Sequence, residues 1–199
     1  MTWTSLPGAG AASIGRERVV LLDRDGTVVI DRDYLADPAG LAFLPGAAEG
    51  LKRLHKRGYR LVIVSNQSGV GRGLFTQQRL EAMNQRLRVM VQEAGAELAG
   101  IYCCPHRPDE GCACRKPNIA LVQQAARELH FDPADCIVIG DRDSDIELGR
   151  RIGAITIRLL PQVEPAAPAA DYVVADLPQA ADIIEALVPA AIRQTPPVA

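Results

Sequence analysis

The chain has no apolar run near the roughly 20 residues that cross a bilayer, and its opening residues lack the long apolar centre of a secretory signal. It also lacks an excess of either charge. Its 22 Lys and Arg face 24 Asp and Glu, a net −2, which excludes a general attraction to nucleic acid or to an anionic membrane surface. Aromatics make up only 4% of residues, so a basic face interleaved with stacking rings is missing too. Cysteine is sparse and badly distributed for a disulfide framework: there are five, an odd number, and four fall between Cys103 and Cys114. The cytoplasm is the expected compartment.

What is present is 199 residues, 48% of them hydrophobic, enough for one sizeable core. Short Val- and Leu-rich runs recur at Arg18–Asp23, Arg60–Ser65, Cys136–Asp141 and Ala154–Arg158. Each reads as a strand buried on both faces. Helical segments are expected between them, at Ala47–Lys56, Thr76–Ala94, Asn118–Leu129 and Ser144–Ile152, with Gly58 and Gly95 as stops and Thr76 as an N-cap. Asp171–Asp176 reads as an edge strand and Pro178–Leu187 as a closing helix. The expected class is α/β: a Rossmann-like, doubly wound, mainly parallel sheet with no large cap domain. Residues 1–17 read as a flexible lead-in, 18–190 as a single domain, Leu160–Ala170 as a surface connection and 191–199 as a flexible tail.

In such sheets ligands bind at the carboxyl ends of the strands. Three of the apolar runs end there in a polar group: Asp23, Ser65 and Asp141. In Asp23-Arg-Asp-Gly-Thr27, two carboxylates stand one residue apart, and Gly26 allows a sharp turn close to an anion. Asp23 can attack phosphorus as a nucleophile, with Asp25 as the general acid/base. Carboxylates facing a phosphate demand a divalent cation. Magnesium suits oxygen ligands from Asp23, Asp25 and Asp141. Ser65 and Lys116 supply the remaining stabilisation of the phosphoryl group. A short D-x-D alone marks a solvated turn more often than a site. The ordered series D-x-D-G-T, Ser65, Lys116 and G-D-x-x-x-D is far more specific.

Cys104, His106, Cys112 and Cys114 offer four soft or borderline ligands on one loop, a closed tetrahedral set for structural zinc. A redox pair of Cys112 and Cys114 is the competing reading. Cys103 and Cys136 read as core residues. His55 and His130 fall near helix ends, where surface or capping roles are expected. Zinc would stiffen the 103–117 loop leading into Arg115 and Lys116, holding both over the phosphate crevice.

Taken together, these motifs resemble the haloacid dehalogenase (HAD) superfamily of phosphatases over nearly the whole chain. The resemblance assigns Asp23 and Asp25 to the nucleophile and acid/base, Ser65 to the second motif, Lys116 to the third, and Asp141 with Asp145 to the fourth. Two branches carry a zinc loop followed by C-R-K-P: the D-glycero-D-manno-heptose 1,7-bisphosphate 7-phosphatases and the histidinol-phosphate phosphatases. Ser65-Asn-Gln-Ser-Gly-Val-Gly-Arg-Gly73 looks like the heptose branch, whereas Gly140-Asp-Arg-Asp-Ser-Asp-Ile146 is close to the histidinol pattern. The first resemblance implies substrate contacts at Asp31, Arg32, Asp33, Tyr34, Asn66, Gln67, Ser68 and Arg115, with Arg142 beside the metal aspartate. A small sugar bisphosphate would be the substrate of a monomer, with neither nucleic acid nor membrane as partner. Arg115 or Arg72 would meet its second phosphate, while Asp33 or Asp109 would suit the cationic histidinol phosphate instead.

Overall fold

The computed structural model describes residues 18–160 and 170–187. The expected lead-in at 1–17, most of the connection at 160–170 and the tail at 191–199 lie outside the described residues.

Six strands form one sheet: β1 (Val19–Leu22), β2 (Arg60–Asn66), β3 (Leu98–Cys104), β4 (Ile137–Gly140), β5 (Ile155–Leu159) and β6 (Tyr172–Val174). Their order is β3-β2-β1-β4-β5-β6, and every neighbouring pair is parallel. Five α-helices flank it among the described residues: α1 (Ala47–Lys56), α2 (Gln77–Glu93), α3 (Ala120–Leu129), α4 (Asp143–Ile152) and α5 (Leu177–Leu187). The strand period of two splits the apolar runs between two cores. Val20, Leu22, Leu61 and Ile63 pack with Leu51, Leu54, Met83, Leu87 and Ile184, from α1, α2 and α5. Val19, Leu21, Val62 and Val64 pack on the other face with Leu121, Val122, Ala125 and Leu148, from α3 and α4. Both faces of β1 are covered, which is why its sequence is continuously apolar rather than alternating.

The helix ends follow local chemistry. Thr76 caps α2 by accepting a hydrogen bond from the Arg79 amide, and Gly58 and Gly95 adopt the left-handed backbone just beyond α1 and α2. His130 closes α3 in the same left-handed region. Strand β3 is not one of the four apolar runs in the sequence. It lies at the sheet edge, contains Gly100, and alternates buried with half-buried residues. On that strand Cys104 is fully buried and Cys103 only half-buried, so the expected core position of Cys103 is corrected by one residue. Cys136 is buried as expected.

The chain runs outward from β1 to β2 and β3, then returns across the sheet to β4 on the other side of β1. The carboxyl ends of β1 and β4 therefore flank the point where the direction of winding reverses, the place where such sheets leave a crevice. No helix among the described residues is long and apolar enough to cross a membrane.

Candidate active site

Asp23 follows the last residue of β1, and its amide donates to the Ile139 carbonyl of β4 at 3.0 Å. Asp141 follows β4, and Asp145 lies in the first turn of α4. Carboxylate oxygens of Asp23, Asp141 and Asp145 all lie within 4.8 Å of one another. Two glycines make that approach possible. Gly26 has φ of +83°, and a Cβ there would collide with the Asp141 carboxylate; a Cβ on Gly140 would collide with the Asp145 side chain. Thr27 Oγ1 donates to Asp141 at 3.4 Å.

Lys116 is buried beneath these acids. Its Nζ lies 2.6 Å from Asp23 Oδ1, 2.6 Å from Asp145 Oδ1 and 2.6 Å from the Val64 carbonyl. Burial works against its charge, but the carboxylates of Asp145 and Asp23 outweigh it and raise the pKa above the ordinary lysine value. Asp141 also moves up, but for it that favours the neutral form. Burial, reinforced by the charges of Asp23 and Asp145, pushes its pKa up to about 6. Three carboxylates against one ammonium leave an oxygen-lined pocket of negative charge, which fits a divalent cation.

The Asp25 carboxylate, also expected among the metal ligands, stands outside this side-chain cluster. Its carboxylate accepts from Arg24 Nε at 3.0 Å, from Arg24 Nη2 at 3.1 Å and from Gln67 Nε2 at 2.6 Å. Asp145 takes the third position in the cluster instead. Ser65, 1% exposed, accepts from Gln67 Nε2 at 2.9 Å.

The loop carrying Lys116 is held from β2. Asn66 Oδ1 accepts from the Lys116 amide at 2.9 Å, and Asn66 Nδ2 donates to the Lys116 carbonyl at 3.2 Å. Upstream on the same loop, Cys104, His106, Cys112 and Cys114 converge. Sγ–Sγ separations run from 3.1 to 3.6 Å, and His106 Nδ1 stands 3.2 Å from Cys114 Sγ and 3.6 Å from Cys104 Sγ. Tetrahedral ligands about 2.3 Å from zinc stand roughly 3.8 Å apart, so the four donors are already near their places. All five cysteines are free thiols.

A cavity of about 280 Å³ opens over the carboxylates. Its wall includes Asp31, Asp33 and Tyr34 from one loop, Asn66, Gln67, Ser68 and Arg72 from another, and Arg115, Lys116 and Arg142. Arg32 is exposed and does not belong to that wall, unlike its neighbours in the expected contact stretch. Arg142 donates to Asp31 at 2.8 Å, and the Arg72 guanidinium lies 5.8 Å from the Tyr34 ring centre. These two contacts tie the 31–35 segment to the loops on either side of the cavity. Arg24 and Leu35 also line it, and neither was expected from sequence; an arginine inside D-x-D reads as solvated until its burial is seen.

This geometry accords with the comparisons to known proteins. Residues 113–180 match the HAD-hydrolase-like family. A D-glycero-beta-D-manno-heptose-1,7-bisphosphate 7-phosphatase of Helicobacter pylori is 40% identical over 133 residues, covering 66% of this chain and 77% of its own. The enzyme of that name from Yersinia pestis is 36% identical over 175 residues, covering 81% and 93%. The chain belongs to the heptose-bisphosphate 7-phosphatase family of HAD-like hydrolases. Among solved structures, the D,D-heptose 1,7-bisphosphate phosphatase from B. bronchiseptica, complexed with magnesium and phosphate, superposes with a TM-score of 0.77 at 30% identity, covering 86% of this chain and 99% of that one. Membership makes the chain a phosphoric monoester hydrolase, and its Cys/His cluster is compatible with a zinc site.

Proposed function

We propose that this chain removes the 7-phosphate from D-glycero-D-manno-heptose 1,7-bisphosphate through an aspartyl-phosphate on Asp23. The observation that carries the reading is the division of charge in the cavity. Asp23, Ser65 and Lys116, at the reacting cluster, serve as the floor, and Arg72, Arg115 and Arg142 are further cations lining the same cavity. A monophosphate needs only the floor; a second phosphate gives the wall cations a partner that guanidinium grips well. Of the two carboxylates that would favour histidinol phosphate, Asp109 is paired with Arg107 outside the wall, and Asp33 shares the wall with those three arginines rather than standing alone.

In the first step an Asp23 oxygen attacks phosphorus and the bond from phosphorus to the sugar oxygen breaks. Asp25 delivers its proton to the departing oxygen. In the second step water attacks the phosphorus, Asp25 takes its proton, and the bond to Asp23 breaks, releasing inorganic phosphate. Ser65 donates to a phosphoryl oxygen. Lys116, which donates to Asp23 and to the Val64 carbonyl and forms an ion pair with Asp145, acts as a fixed charge that orients Asp23. Asp23, Asp141 and Asp145 would hold magnesium, which supplies charge neutralisation at the phosphoryl group. Cys104, His106, Cys112 and Cys114 would hold structural zinc, in a compartment such as the cytoplasm where thiols stay reduced.

The test compares phosphate release from both anomers of the heptose bisphosphate and from histidinol phosphate, each with magnesium. One heptose anomer should exceed histidinol phosphate in kcat/KM by about tenfold or more, the effect of roughly 1.4 kcal/mol. Equal or faster turnover of histidinol phosphate would reverse the assignment.

A further inference from the structure

We propose that Arg24 and Gln67 form a buried latch that positions Asp25 for proton transfer and aims the Ser65 hydroxyl at the phosphoryl group. The proposal rests on the aspartyl-phosphate reading above, since it assigns residues that act through the acid/base and the hydroxyl.

Arg24 sits between the two carboxylates of the D-x-D segment and its side chain is only 3% exposed. Burying a guanidinium is costly, and its Nη1 is left without a hydrogen-bond partner. An apolar side chain of similar volume would fill the same space without that cost, so filling space does not explain the residue type.

What explains it is the geometry of what it grips. Nε and Nη2 reach both oxygens of Asp25, at 3.0 and 3.1 Å. A bidentate fork of this kind fixes the carboxylate plane, which a single contact would leave free to rotate. Nη2 also donates to Gln67 Oε1 at 2.8 Å. Because arginine is donor-only, this contact fixes which way the Gln67 amide points. Its NH₂ group must then be the one that reaches Asp25 Oδ2 at 2.6 Å and Ser65 Oγ at 2.9 Å.

Two consequences follow for the chemistry. Oδ2 accepts from both Arg24 and Gln67, whereas Oδ1 accepts a single hydrogen bond, from Nη2. Oδ1 is therefore the oxygen with room for the proton that moves to and from substrate. At Ser65, Oγ already accepts from Gln67, so its own proton is free to point at a phosphoryl oxygen. One network thereby sets the direction of two proton-bearing groups. It also holds Asp25 on the cavity wall, apart from the Asp23, Asp141 and Asp145 cluster. Arg24 and Gln67 are positioning residues, acting through Asp25 and Ser65.

The experiment uses two magnesium-loaded substrates that differ in need for a proton: an alkyl phosphate, whose alkoxide leaves poorly, and p-nitrophenyl phosphate, whose phenolate leaves without protonation. Release of the alcohol or phenol is followed in single turnovers with enzyme in excess, so that only the phosphorylation of Asp23 is read. Arg24→Met should slow the alkyl substrate by about 30-fold or more, within the usual reach of general acid catalysis, and the aryl substrate by less than about fivefold. Gln67→Met keeps the fork and removes the amide, and should show a smaller bias of the same sign. With p-nitrophenyl phosphate in excess, a phenol burst should appear in Arg24→Met, because water attack still needs the base.

Equal slowing of both substrates would mean that these side chains merely support the fold, and unchanged rates would mean that they do not matter; either overturns the proposal. Should Arg24→Met fail to fold, Gln67→Met carries the same comparison. Wild-type protein that leaves both substrates intact would instead remove the phosphatase reading itself.

Discussion

Lys116 Nζ lies 2.6 Å from Asp23 Oδ1, although 93 residues separate them in the chain. The sheet order creates this contact. β1 lies beside β2, and Asn66 at the end of β2 clasps the backbone of Lys116 on the loop that follows β3. A buried ammonium is stable there only because Asp23 and Asp145 face it.

Lys116→Met therefore strands two acids. Removing one partner from a buried pair costs about 3–5 kcal/mol, so the metal-free variant should melt well below wild type. Turnover should fall by at least about 100-fold, because Asp23 loses its orientation. Magnesium affinity should rise or hold, since the remaining charge is more negative. Calorimetric titration with magnesium, beside a phosphate-release assay, separates these outcomes. Weaker magnesium binding would contradict the electrostatic account.

Asp23→Asn keeps the shape of the side chain and an oxygen for Lys116, but an amide is a poor nucleophile. Because Lys116 keeps Asp145 but loses one charged partner, the metal-free protein should melt lower, though less so than Lys116→Met, while turnover should drop by about 1,000-fold or more. Trapping aspartyl-phosphate after an acid quench should label wild type and leave the variant unlabelled.

Most of the fold was legible because a strand covered on both faces is apolar throughout, and β1, β2 and β4 carry that run, while β5 keeps a shorter version broken by Thr156 and Arg158. β3 was harder to read as a strand. An edge position and Gly100 remove the pressure for a continuous run. The acids at the strand tips were legible for a related reason: a carboxylate closing a buried strand has no packing purpose. What the sequence hid was the partnering. Asp23 and Asp25 look equivalent in D-x-D, yet the first joins the cation cluster and the second is taken by Arg24 and Gln67. Asn66 and Gln67 look like substrate contacts, yet both spend polar atoms inside the protein, on Lys116 and Asp25. Side-chain partners brought together by strand order, such as Asn66 and Lys116, leave no periodic trace in a linear sequence.

The raised pKa of Asp141, about 6, gives the magnesium response a pH dependence. In the metal-free protein the native state holds this proton more tightly than the unfolded chain, whose carboxyl titrates near 3.8. Between those values the native state binds more protons, so this group's contribution to stability falls as pH rises. Magnesium reverses the trend, because it needs the ionised carboxylate. Apparent magnesium affinity should weaken as pH drops below about 6 and level off above it. The rise in Tm on adding magnesium should accordingly be larger at pH 7.5 than at pH 5.

Cys112→Ser removes one of four converging donors while leaving the other three in place. Wild-type protein should contain close to one zinc per chain by elemental analysis, and the variant should contain less and melt at lower temperature. Because Arg115 and Lys116 follow Cys114 directly, turnover should fall with the zinc content. Full zinc loss with unchanged turnover would separate the loop from the site.

Arg115 offers the sharpest test of the second phosphate. Arg142 is engaged by Asp31 and Arg72 lies over Tyr34, whereas the Arg115 guanidinium makes a long 3.4 Å bond to the His106 carbonyl. It is thus the wall cation with the least to give up on meeting an anion. Arg115→Ala should raise KM for the heptose bisphosphate by about tenfold or more, as expected for a lost charged hydrogen bond of roughly 1.5–3 kcal/mol. For a heptose carrying only the 7-phosphate, KM should change little, since the floor still holds that group. In both cases kcat should stay within about threefold, because Arg115 would bind ground and transition states alike. A fall in kcat with unchanged KM for both substrates would instead place Arg115 at the reacting phosphate.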